Sequence, residues 1–178
     1  MPRNHDHTAA VQAQSDTHAI DHAIDAGLRV SDANINPETG LATDYLNRFN
    51  EAVMLLEMLT SAPEFRADFL AWEPKSYREH FRTSRFRTRN LAIAAYESAD
   101  PNLRSSLDTL AVTMTVVLEA TKAAMNADLR AETVTALAGN ATRWLKPLIA
   151  RAGAIISGEA DVTHAPSPQA LVDQLMKR

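Results

Sequence analysis

Two clusters of side chains have the types and spacings that chemistry requires. In HAIDHAID, residues 18–25, His18 and His22 sit four apart, and Asp25 follows seven after His18. A helix places residues at those intervals on one face. Two imidazoles and a carboxylate so arranged suit Zn²⁺ or Ni²⁺. His5 and His7 bring four of the six histidines into the first 22 residues. The metalloprotease pattern H-E-x-x-H is absent, and an arm without a packed core is a poor place to pre-organise ligands. A solvated helix face opposite Ile20, Ile24 and Leu28 accounts for the same residues, so no resident metal or other cofactor is expected.

The second cluster is KSYREHFRTSRFRTR, residues 75–89, with Lys75, Arg78, Arg82, Arg85, Arg87 and Arg89 against a lone Glu79. On one continuous helix Arg78, Arg82, Arg85 and Arg89 form a stripe. If Thr83 and Ser84 split the segment, with Ser84 capping a second helix, the stripe becomes a cluster around a corner. Tyr77, Phe81 and Phe86 interleave with the basic residues. Guanidinium forks beside aromatic faces suit carboxylates, phosphates or stacked bases. The competing account puts the aromatics in the core and the arginines in solvent or on Glu64, Asp68 and Glu73 upstream.

His80 lies inside this cluster, between Arg78 and Arg82. An exposed histidine on a helical bundle resembles, in architecture, the phospho-accepting residue of histidine phosphotransfer domains. Those domains place a lysine and a glycine soon after the histidine, whereas here Phe81, Arg82, Thr83 and Ser84 follow. Glu57 is the carboxylate with the most apolar neighbours, and Arg143 or Arg151 is its expected partner.

Many other chemistries are excluded. The 178 residues contain no Cys, which removes disulfides, thiolate metal sites and cysteine nucleophiles. No glycine-rich phosphate cradle, G-x-S-x-G elbow or paired E-x-x-H motif is present. The net charge of -4 argues against a surface built for polyanions, so any nucleic-acid contact must be local. No secretory apolar run follows Arg3, and no stretch reaches membrane-spanning length; a cytoplasmic protein without a membrane partner is expected.

The elements that must position these residues are helices. Alanine supplies about 31 positions, and β-branched and aromatic residues are thin. Residues 1–41 are expected to be a flexible arm with one short helix over about 16–28, closed by the turn-rich SDANINPETG. The domain proper is expected over 42–157. Its first helix, about 44–60, turns Leu46, Phe49, Val53, Leu56 and Leu59 to one side, yet Met54, Leu55 and Met58 are apolar too. Such a helix is either the centre of the bundle or the seam of a homodimer. A short helix over about 64–72 aligns Phe65, Phe69 and Trp72.

Asp100 and Pro101 announce a helix to about 126, with Leu103, Leu107, Leu110, Met114, Val117, Thr121 and Ala124 inward. A second long helix ends before Gly158, with Val134, Leu137, Ala141, Trp144, Leu148, Ala152 and Ile155 inward and Pro147 expected to kink it. Residues 158–178 read as a linker and a short amphipathic segment bearing Leu171, Val172, Leu175 and Met176. The expectation is an all-α, single-domain antiparallel bundle of four to five helices. Its expected role is that of a non-catalytic adaptor or regulator whose protein partner offers an acidic surface to residues 75–89. Nucleic acid on the same cluster is the alternative, and a metal-binding or phosphotransfer protein is the second alternative.

Overall fold

The computed structural model describes residues 34–85 and 87–159. The arm helix, the His18–His22–Asp25 candidate and the amphipathic segment after residue 160 lie outside the described residues, as does Phe86. Among the described residues six α-helices and no strand occur, so the chain is all-helical. A 3-10 turn, Thr43–Leu46, leads into α1, Asn47–Met58. Then come α2, Phe65–Ala71, α3, Tyr77–Thr83, and α4, Arg89–Ser98. The long helices are α5, Pro101–Met125, and α6, Ala131–Ser157. Six helices replace the expected four to five because non-helical residues interrupt the chain at 72–76 and again at 84–88, leaving three short helices between α1 and α5.

Local chemistry sets the helix ends. Asp100 accepts the amide hydrogens of Asn102 and Leu103 at 2.8 and 3.2 Å, with Pro101 opening α5 where no amide is needed. At the start of α3 the Ser76 hydroxyl accepts from the Glu79 amide at 3.3 Å. The Glu79 carboxylate accepts from the Ser76 amide at 2.9 Å, which completes a capping box. Gly158 stops α6 in the left-handed region, φ 75°, and the Glu159 amide reaches back to the Ala154 carbonyl at 2.9 Å. Helix α6 runs unbroken through Pro147.

Helix α6 packs along both α5 and α1, and α1 also carries α2. The broad apolar face of α1 is therefore used within the chain: Phe49, Ala52, Val53, Leu55 and Leu56 are buried, and only Met54 stands out, 51% exposed. The inner face of α6 keeps five of the expected positions, Val134, Ala141, Leu148, Ala152 and Ile155, all buried, and differs at the other two. Ala138 and Leu145 are fully buried, whereas Leu137 and Trp144 are half-buried. In α5 the expected Leu107, Leu110, Met114 and Thr121 are buried and Leu118 and Met125 join them, while Val117 is half-buried and Ala124 is exposed. Replacing a fully buried leucine such as Leu145 with alanine typically costs about 2–5 kcal/mol.

The packed body also begins earlier than expected. Ile35 and Leu41 are buried, Ile35 bridges to Ala42, and the Thr39 hydroxyl donates to the Ile156 carbonyl at 2.7 Å. The Asn36 side chain accepts from the Glu38 and Thr39 amides at 2.8 and 3.2 Å, folding residues 36–39 into a turn. Gly40 has φ 70°, and a Cβ there would lie 2.9 Å from the Ala95 carbonyl oxygen. Ile35, Thr39 and Leu41 are thus buried with the core, beside α4 and α6.

Candidate functional site

The basic segment does not form one stripe. The Ser84 hydroxyl donates to the Phe81 carbonyl at 2.8 Å and closes α3, and α4 starts after Thr88, so Ser84 caps no second helix. The arginines turn a corner instead and meet different fates. Arg78 pairs through Nε with Glu97 at 3.0 Å, and Lys75 donates to the Thr83 hydroxyl at 3.1 Å. Arg89 reaches the Ser84 carbonyl at 3.4 Å. Arg82, Arg85 and Arg87 are exposed and form no ion pair with any described residue. None of the six reaches Glu64, Asp68 or Glu73; it is Arg48 that takes the Glu73 carbonyl, its guanidinium 5.2 Å from the centre of the Trp72 ring. Glu57 is exposed and pairs with Lys146 at 2.6 Å rather than with Arg143 or Arg151, since Lys146 stands on the face of α6 nearest α1.

The two described aromatic members, Tyr77 and Phe81, belong to the interior. Tyr77 is 2% exposed, its hydroxyl accepting the Ala42 amide at 2.8 Å, and Phe81 is fully buried. They anchor α3 and present no ring beside the exposed arginines. His80 is half-buried, packed edge-on against Tyr45 and Phe81 with ring centres 5.8 and 5.0 Å away. Burial, then the nearby Arg48 charge, hold its pKa below the usual histidine value. A neutral ring wedged between two aromatics is poorly presented as a phospho-acceptor. Among the described residues no three metal-ligating side chains converge.

A second surface feature adjoins the start of α3. A groove of about 830 Å³ runs between α3, α4 and α5, lined by Tyr77, Arg78, Tyr96, Arg104, Asp108 and Val112 among others. Its back wall is a tyrosine stack: Tyr77 and Tyr96 lie 4.3 Å apart, inclined by 16°, and Tyr45 follows 5.1 Å from Tyr77. Tyr96 donates to Asp108, and the Arg104 guanidinium sits 5.9 Å from the Tyr96 ring centre. Burial, then the hydrogen bond to Asp108 and its charge, push the Tyr96 phenol up to about 12. In the groove the Ser76 hydroxyl is engaged in the α3 cap, and Asp108 accepts the Tyr96 hydroxyl. Such a wall can hold and orient a ligand.

Of the residues at this groove, the sequence singles out Tyr77 and Arg78, as members of the basic cluster, and not Tyr96, Arg104 or Asp108. The spacing of four between Arg104 and Asp108 was a local cue; the partnership of Tyr96 with Asp108, twelve residues on and across a helix break, had none.

No protein-family model matches the chain, and no curated protein or solved structure shows significant similarity to it. No helix among the described residues is long and apolar enough to cross a membrane.

Proposed function

We propose that this chain is a non-catalytic helical adaptor or regulator, acting in the cytoplasm, whose α3–α4 corner engages an acidic surface of a partner protein. The observation that carries this reading is the state of Arg82, Arg85 and Arg87, three guanidiniums within six residues, all exposed and without an ion pair among the described residues. Elsewhere in the same segment Arg78 and Glu97 neutralise one another. Arg82 also stands in the last turn of α3, where a cation complements the helix dipole. That local role does not extend to Arg85 and Arg87, which lie beyond the helix. On a chain of net charge -4, a compact basic corner favours a matched acidic protein patch over a polyanion. In this reading the long α5–α6 pair is the antiparallel scaffold of a single-domain bundle and the corner is its working end.

The test is quantitative co-purification from native extract, followed by binding measurements on the partner so identified. R82E/R85E/R87E should lose capture while its far-ultraviolet circular dichroism and melting profile stay those of the wild type. Undiminished capture by the charge-reversed protein refutes the corner as the interface. A gel shift on duplex DNA that the same variant abolishes would transfer the corner to nucleic acid, with an affinity that falls steeply as salt rises.

A further inference from the structure

Independently of the corner, we infer that the groove between α3, α4 and α5 binds a small zwitterion, an α-amino acid with an apolar or aromatic side chain. Three observations converge on that class. The first is an unmatched pair of opposite charges on one wall. Arg104 has no hydrogen-bond acceptor and no ion pair among the described residues, and its Nε is buried without a partner. Asp108 accepts only the Tyr96 hydroxyl, at 2.8 and 2.7 Å, which leaves lone pairs on both carboxylate oxygens. The two residues are four apart on α5, hence about 6 Å apart at their Cβ atoms, but they form no salt bridge with each other. A ligand carboxylate on Arg104 and an ammonium on Asp108 would satisfy both at once.

The second observation is that the rest of the local charge is already balanced. Arg78, the other guanidinium in the groove, is held by Glu97 at 3.0 Å. An anionic ligand on Arg104 would therefore leave Asp108 uncompensated, and a cationic one on Asp108 would leave Arg104 so. A zwitterion brings none. The third is the shape and lining. The stacked Tyr77 and Tyr96 close the back of the groove, while Pro101, Ala111 and Val112 line the apolar remainder. The cavity of about 830 Å³ falls within the range of small-molecule sites, and Val112 is 58% exposed at its rim.

The test is isothermal titration of the full chain with L-phenylalanine and L-leucine. Two half-ligands are run beside them: phenethylamine, which lacks the carboxylate, and 3-phenylpropionate, which lacks the ammonium. L-phenylalanine is expected to bind, and each half-ligand should bind about ten- to a hundredfold more weakly, the loss of one charge-assisted contact. R104Q should erase the preference for phenylalanine over phenethylamine, and D108N the preference over phenylpropionate. R143Q, on the exposed face of α6 and outside both the groove and the corner, should change neither. Half-ligands that bind as well as phenylalanine, or no heat from either amino acid at 10-fold millimolar excess, overturn the inference. The half-ligand comparison is made on the wild-type chain and so stands even if D108N folds poorly.

Discussion

Tyr96 of α4 gives its phenolic hydrogen to Asp108 of α5, the hydroxyl lying 2.8 and 2.7 Å from the two carboxylate oxygens. This contact ties a short alanine-rich helix to the long one that follows it. It also closes a row of three buried phenols, Tyr45, Tyr77 and Tyr96, that runs from the 3-10 turn through α3 to α4.

The row predicts an alkaline limit on stability. Burial is the main cause that raises all three phenols above the ordinary value near 10, Tyr96 to about 12 and the other two further. The folded chain then keeps protons that the unfolded chain releases. The stabilising contribution is intact below pH 10 and is lost as pH rises toward and beyond 12, by about 1.4 kcal/mol per pH unit for each tyrosine. Urea midpoints followed from pH 8 to 11.5 should hold to about pH 10 and then fall, as tyrosinate absorbance rises on unfolding. Tyr96→Phe should soften the slope while costing about 1–2 kcal/mol at neutral pH through the hydrogen bond lost to Asp108. A midpoint that stays flat to pH 11.5 contradicts the expectation.

His80 predicts the opposite limit. Its lowered pKa comes first from burial and then from Arg48, with Lys75 adding to the effect and Asp44 opposing it. A histidine that is harder to protonate when folded gives full stability above its unfolded value near 6.5, and that stability is lost as pH falls below it. Stability should therefore decline from pH 7 toward pH 5, and His80→Gln should flatten that decline. A variant with an unchanged acid profile would show that other groups carry it.

Two glycines should answer alanine substitution with opposite signs. At Gly40 the backbone is left-handed and a Cβ meets the Ala95 carbonyl at 2.9 Å, so Gly40→Ala should cost about 1–3 kcal/mol. At Gly139, on the exposed face of α6, a Cβ meets nothing within 4 Å. There Gly139→Ala should add about 0.5–1 kcal/mol by helix propensity. Paired denaturation curves decide both, and equal shifts in one direction would be incompatible with these backbones.

What was legible from sequence was what neighbouring residues decide among themselves. The Asp100–Pro101 start of α5, the Gly158 stop of α6 and the buried line Phe49–Val53–Leu56 all rest on local caps or on a single helical period. Long-range packing hid the rest. In α6, alanines and leucines offer neighbouring apolar lines, and packing buries Ala138 and Leu145 beside most of the expected positions while Leu137 and Trp144 stay half-buried. In SDANINPETG the turn signals were correct, but Ile35 and Leu41 dock on distant helices that no local pattern names. For the candidate site, the six basic residues were visible as a run, whereas Tyr77 answers to Ala42 and Tyr96 to Asp108. Both pairings exist only once the helices have assembled.

The hydrogen bond from Thr39 to the Ile156 carbonyl, with Gly158 packed beside Thr39, joins the two ends of the described body. Residues 34–159 therefore close into a loop whose first and last turns touch. A force drawing those ends apart would load this contact before it reached the α5–α6 core, so mechanical opening should begin with the peeling of residues 34–41. The same closeness would let a short linker join residues 159 and 34, and the chain could then be cut anew in the exposed turn at 126–130 without rerouting any helix.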